Sequence, residues 1–168
     1  MNIEKELRIM HACELGAVGV YRGHKCVARY FFRTSIFELD TMGFHERDHA
    51  DIFRNLLVDH QARLCFLYPL FFVGGLFYGV IVGFLGLRAI GTSTYAIENI
   101  VNDEFDIALK KLKNQDAICK KIREIQLEEQ QHLEAGKQLA GDNYFLSRLV
   151  QVIARSGAYT AKYMASVL

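Results

Sequence analysis

Glutamate followed three residues later by histidine occurs twice in this chain, as Glu46-Arg47-Asp48-His49 and as Glu129-Gln130-Gln131-His132. On a helix, residues three apart project about 60° from one another, so both side chains of each pair can reach one metal ion. The first copy also lies within His45-Glu46-Arg47-Asp48-His49. That string matches the H-E-x-x-H signature of zinc peptidases, in which two histidines hold zinc and the glutamate is the base. The same five residues thus support two chemistries. The choice depends on which other side chains share their face.

Helical spacing decides it. Leu39, Met42, Glu46, His49, Phe53 and Leu56 follow one another at steps of three and four, the stripe that faces a bundle core. Arg47, Asp48, Asp51 and Arg54 fall on the opposite face. Downstream, Ile122, Ile125, Glu129, His132, Gly136 and Leu139 repeat the pattern. Two further seams each carry a glutamate without the histidine: Leu7, Met10, Glu14, Ala17, Tyr21, His24, Ala28, and Glu98, Val101, Phe105, Ala108, Leu112. Glu14 and Glu46 stand 32 residues apart, and Glu98 and Glu129 stand 31 apart. The chain therefore reads as two helix pairs, each supplying a lone glutamate and then an E-x-x-H.

Four ionised carboxylates in a dry core are prohibitive, because each unpaired one costs several kcal/mol or takes up a proton. Two divalent cations balance four carboxylates, and two neutral imidazoles complete the set. One glutamate from each of two helices, plus an E-x-x-H from each of the other two, is the ligand pattern of di-iron and di-manganese bundles. Mixed carboxylate and imidazole donors suit iron or manganese. The metal ligands expected are Glu14, Glu46, His49, Glu98, Glu129 and His132. A lone E-x-x-H is common on solvated helix faces; two in matching register with two seam glutamates are not. The zinc reading would leave Glu14, Glu98, Glu129 and His132 without a role. It also needs His45, which sits about 100° from Glu46 on the flank of the seam. His45 is expected to be a partly exposed flank residue, with a supporting role behind the metal ligands as the alternative.

These seams require long helices. The periodicity predicts six, at roughly 3–33, 36–60, 68–86, 90–113, 115–140 and 143–166. With one proline and little strand-like alternation, the chain reads as all-α and as a single domain over residues 1–168. Twenty basic and 19 acidic residues give a net charge of +1, so there is no basic field to hold nucleic acid. Cys13, Cys26, Cys65 and Cys119 have no C-x-x-C spacing, as expected of reduced thiols. The N-terminus has neither a secretory nor a transit-peptide pattern and reads as bacterial or already processed.

Residues 64–87 are 24 in a row without a charge, LCFLYPLFFVGGLFYGVIVGFLGL. That length suits a transmembrane helix. A span would, however, put Glu46 and Glu98 on opposite sides of a bilayer, although they must meet. Gly74, Gly75, Gly79, Gly83, Gly86 and Pro69 also suit a bent or closely packed element. The segment is therefore expected to lie in the membrane interface and shape an apolar entrance. A buried core helix or an oligomer interface is the alternative.

The strings CELGAVGVYRGH, HERDHADIF, YPLFFVGGLFYGVIVGFLG, TYAIENIV and LEEQQHLEAG, in this order, resemble the demethoxyubiquinone hydroxylases of coenzyme Q biosynthesis. The resemblance runs over about residues 7–168, and all six ligand positions match in order and spacing. It implies a ferritin-like four-helix bundle with two additional helices, one strongly apolar. It also implies a di-iron centre on the six ligands, at least one glutamate bridging. The activity implied is O₂-dependent hydroxylation of a prenylated benzoquinone ring, demethoxyubiquinone to demethylubiquinone, with NADH as the ultimate electron source. The implied setting is peripheral, on the cytoplasmic face of a bacterial inner membrane or the matrix side of a mitochondrial one, as a homo-oligomer.

The chain departs from that family in places. Where helix four usually carries histidine, tyrosine and then Asn-Gln, it has Glu104, Phe105, Ile107 and Ala108. Where helix one usually reads Glu-Tyr-Gly-Ala-Asn-Arg, it has Glu14-Leu15-Gly16-Ala17-Val18-Gly19. These differences leave the ligand set intact and bear on the substrate side. Glu104 is expected to be an exposed helix residue, with a carboxylate near the cavity as the alternative. Two other functions share the ligand pattern: a rubrerythrin-like peroxide or O₂ reductase, and a non-catalytic iron- or lipid-binding membrane protein.

Overall fold

The computed structural model describes residues 3–167. Six α-helices follow one another, with no strand among the described residues: α1 (Ile3–Phe31), α2 (Ile36–Asp59), α3 (Tyr68–Phe84), α4 (Leu87–Lys111), α5 (Asp116–Ala140) and α6 (Ser147–Val167). A single 3₁₀ turn, Arg33–Ser35, joins α1 to α2. The expected helices are all present, and the differences lie at their ends. Pro69 sits in the first turn of α3, where its missing N–H has no partner to lose. Gly86 takes φ 104, which lets the chain reverse with no loop, so α4 begins at Leu87 rather than near 90. Gly141 (φ 59) and Asn143 (φ 58) end α5 and hold back the start of α6 until Ser147.

Helices α1, α2, α4 and α5 form a ferritin-like four-helix bundle, in which α1 packs on α2 and α4 on α5. The four seams read from the sequence face inward. Leu7, Leu39, Phe53, Leu57, Leu112 and Ile122 are almost wholly excluded from water. Each contributes about 1.5–3 kcal/mol by burial. One apolar cluster contains Leu7, Met10, Phe53, Phe105, Leu112, Ile118, Ile122 and Ile125. A second contains Tyr21, Ala28, Leu39, Met42, Ala89 and Ile90. Along each helix the seam glutamates fall between these two clusters, so a polar layer is sandwiched between two apolar ones.

The apolar segment packs lengthwise against α1. A Cβ on Gly19 would stand 2.2 Å from Phe72 O, one on Gly23 2.5 Å from Leu76 O, and one on Gly75 2.2 Å from Gly16 O. The glycines therefore permit backbone-to-backbone contact. The other face of α3 exposes Leu70, Val73, Phe77, Ile81 and Phe84, a stripe at steps of three and four. The final helix adds exposed Leu149, Val152, Ile153, Tyr159 and Tyr163. Among the described residues no helix is long and apolar enough to cross a membrane.

Candidate metal centre

The polar layer brings all six expected residues together. Glu14, Glu46, His49 and Glu129 offer donor atoms within 4.8 Å of one another, and so do Glu46, Glu98, Glu129 and His132. The two groups share Glu46 and Glu129, the glutamates of the two E-x-x-H motifs. Glu14 and His49 belong to one group only, Glu98 and His132 to the other, so the layer has the shape of two adjoining donor sets that could each hold an ion. All six side chains are buried.

Electrostatics favour a cation here. Burial pushes the carboxyl groups of Glu14, Glu46 and Glu98 well above the ordinary range, and the neighbouring carboxylates push them further. Glu129 is opposed by burial too, but the adjacent imidazoles of His132 and His49 bring it down to about 2. Burial works to lower His49, yet Glu129 and Glu14 raise it to about 9. Several buried atoms also lack a hydrogen-bond partner: Glu98 Oε2, Glu129 Oε1 and His49 Nδ1. His49 Nδ1 and Glu129 Oε1 lie 2.8 Å apart without hydrogen-bond alignment. Orphaned donor atoms at this depth are costly unless an ion accepts their lone pairs. The hard oxygen and imidazole donors fit iron or manganese.

Three neighbours support the site, of which Tyr21 and Glu128 were not assigned to it from the sequence. Tyr21 donates a 2.5 Å hydrogen bond to Glu98 Oε1. Burial and then the charge of Glu98 push this phenol's pKa well upward, so it stays a donor. Its place in the α1 seam, one heptad after Glu14, was the available signal. Glu128 reaches His49 Nε2 at 2.9 Å, and His45 Nδ1 lies 3.0 Å from His132 Nε2. His45 is half-buried on the flank, as expected, and belongs to neither donor group.

Beside the centre lies a cavity of about 630 Å³, lined by α1, α3, α4 and α6. Glu14 belongs both to its wall and to the metal cluster. Val20, Ile97, Phe71 and Phe105 make most of the remaining inner wall apolar. Leu70, Val152 and Ile153 line the cavity and are also exposed, which sets its mouth between α3 and α6. Cys13 is in the wall as well; burial, and then the charge of Glu14, raise its thiol to about 12, so it is no nucleophile.

For Glu104 the structure favours the alternative expectation, a carboxylate at the cavity, over an exposed helix residue. It is half-buried rather than exposed, lines the cavity, and pairs with Lys162 of α6 at 2.6 Å. The preceding turns of α4 turn this position toward α6, whose lysine then neutralises it.

A family model described as ubiquinone biosynthesis protein COQ7 matches residues 1–165. The rat protein named NADPH-dependent 3-demethoxyubiquinone 3-hydroxylase, mitochondrial, is 27% identical over 95% of this chain and 77% of its own length. The Dictyostelium discoideum protein of the same name is 26% identical, over 73% of this chain but only 55% of its own length. A Rhodospirillum rubrum protein named 3-demethoxyubiquinol 3-hydroxylase is 30% identical over 80% of this chain and 63% of its own.

Proposed function

The chain belongs to the COQ7 family of ubiquinone biosynthesis proteins, and from that premise we propose that it is an O₂-dependent di-iron monooxygenase acting on a prenylated benzoquinone. The reaction adds one oxygen atom to a ring C–H of demethoxyubiquinone, giving demethylubiquinone. The second oxygen atom leaves as water, with two electrons and two protons consumed. The observation that carries this reading is Glu14, shared between the buried ligand cluster and the apolar cavity. A ring in that cavity would abut the centre while its isoprenoid tail ran toward the mouth.

The two iron ions would be held by Glu14, Glu46, His49, Glu98, Glu129 and His132, and would supply the electrons that activate O₂ for insertion. The protein's own groups do the rest. Val20, Ile97 and Phe105 exclude water from the ring's approach. Tyr21 holds Glu98 in place. The Glu104–Lys162 pair supplies a polar spot in an otherwise apolar wall. Electrons come ultimately from a reduced nicotinamide: NADH is expected from the resemblance, and the rat relative's name specifies NADPH. A peroxide reductase needs no cavity of this size, which favours the quinone reading over a rubrerythrin-like one.

Expression in a hydroxylase-deficient strain tests this. The intact chain should restore ubiquinone, and continued accumulation of the demethoxy precursor despite two bound irons would sink the reading. Gly74→Trp makes the test specific to the cavity. Gly74 lines it, and a Cβ there meets nothing within 4 Å. The indole should obstruct the mouth and raise KM for the quinone about tenfold or more, the scale of losing 1.4 kcal/mol of binding. Two irons per chain should remain.

The exposed apolar faces of α3 and α6 flank that mouth, which supports a peripheral position on a membrane, with tailed substrate entering from the lipid. Its place would be the cytoplasmic face of a bacterial inner membrane, or the matrix side of a mitochondrial one. The purified protein should float with liposomes, and replacing Phe77, Ile81 and Phe84 together with serine should abolish flotation. A wild-type protein that stays at the bottom of the gradient as a homo-oligomer would assign these faces to self-association.

A further inference from the structure

Each E-x-x-H motif is preceded by a residue that serves the other helix. Glu128, immediately before Glu129 on α5, reaches across to His49 of α2, with Glu128 Oε2 2.9 Å from His49 Nε2. His45, immediately before Glu46 on α2, reaches back to His132 of α5, with His45 Nδ1 3.0 Å from His132 Nε2. Both histidines turn their other nitrogen to the carboxylates. His49 Nδ1 is 2.8 Å from Glu129 Oε1, and His132 Nδ1 is 3.1 Å from Glu46 Oε1 and 3.2 Å from Glu129 Oε2. The two outer contacts occupy equivalent places but differ in chemistry: one partner is a carboxylate, the other an imidazole.

We propose that this difference makes the two metal positions unequal, with the Glu14/His49 position binding a divalent ion more tightly than the Glu98/His132 position. The proposal rests on the reading that the centre holds two ions. A histidine that binds metal through Nδ1 keeps its proton on Nε2, and the partner of that N–H fixes the ring's tautomer and tunes its donor strength. Glu128 accepts the proton with a full negative charge, a charge-assisted bond about twice as strong as a neutral one. It therefore pushes electron density into His49. With its proton on Nε2, His132 would donate to the neutral Nδ1 of His45, which stands 3.8 Å from Glu128 Oε2 and so feels that carboxylate only at second hand. The His45 ring lies over that of His132 at 5.2 Å and 14°. It orients His132 with little electronic gain. A separate contact acts in the same direction: the 2.5 Å hydrogen bond from Tyr21 withdraws charge from Glu98, the terminal carboxylate of the weaker position.

Anaerobic titration of the metal-free protein with Co(II), followed by visible absorption and equilibrium dialysis, tests the proposal without turnover. The wild type should fill in two resolved steps, and His49→Ala should remove the tighter. Glu128→Gln keeps the size of the side chain but not its charge. It should weaken the tighter step roughly 10–100-fold, the range found for lost outer partners of metal-bound histidine, and leave the other step in place. His45→Glu gives His132 a carboxylate partner and should tighten the weaker step, closing the gap. A gain in affinity cannot arise from misfolding. Equal affinity for both ions in the wild type would overturn the proposal, as would an unchanged weaker step in His45→Glu. Failure to bind any ion would instead overturn the two-metal reading itself.

Discussion

Glu129→Ala should empty the centre of both ions, whereas Glu14→Ala should leave one behind. Glu129 belongs to both donor groups, contacts both histidines, and is the one seam glutamate whose carboxyl is held far below the ordinary range. Without it each ion loses a ligand, and the attraction that holds His49 and His132 toward the cluster is lost. Glu14 belongs to one group only. The difference should appear as iron per chain: two in the wild type, one in Glu14→Ala, none in Glu129→Ala. Stability should report it too. A ligand at one hundred times its Kd stabilises a protein by about 2.7 kcal/mol, so two such sites give about 5 kcal/mol. At roughly 2–4 °C per kcal/mol for a chain of this size, metal should raise Tm by roughly 10–20 °C in the wild type. In Glu129→Ala the shift should vanish. Two irons retained by that variant would overturn the bridging assignment.

That experiment turns on residues whose placement was legible from spacing alone. A glutamate in an apolar seam conflicts with burial unless something compensates, and four such conflicts in matching register have one economical solution. The ends of α1, α2, α3 and α5 were legible for a similar reason, because Pro69, Gly141 and the Arg33-Thr34-Ser35 break act locally. The Glu104–Lys162 pair was not. Lys162 lies on α6, whose packing phase is set by contacts with α1 and α4 that no local pattern encodes. Glu128 was missed, and His45 was read only as a flank residue with a supporting role as the alternative, because both lie on the flank of their seams. Flank residues are read as solvated until the crossing of α2 and α5 is known. The glycines of residues 64–87 were read as marking a bent or closely packed element, but their partner helix could not be named. The complementary glycines Gly16, Gly19 and Gly23 lie on α1, on the face away from its metal ligand.

Gly79→Val is expected to be strongly destabilising although it lies outside the centre. A Cβ at Gly79 would lie 2.2 Å from Val20 O, 2.9 Å from Val20 C and 3.0 Å from Val20 Cα. All three obstacles are backbone, so no side chain can rotate away, and α3 must separate from α1. Overpacking ordinarily costs about 1–3 kcal/mol. A wedge between two backbones belongs at or beyond the top of that range, which places the loss in Tm at roughly 6–12 °C or more. Gly74, on the same helix with nothing within 4 Å, provides the control. Gly74→Ala should stabilise by about 0.5–1 kcal/mol through helix propensity. The centre offers a second readout, because α3 supplies none of the six ligands. The separation of α3 should open the cavity wall that contains Phe71 and Gly75 and weaken quinone binding, while iron stays at two per chain. A Gly79→Val protein with wild-type Tm would show that α3 does not pack against α1 through this face. Iron lost in step with quinone binding would mean that α3 and the four ligand helices fold as one cooperative unit.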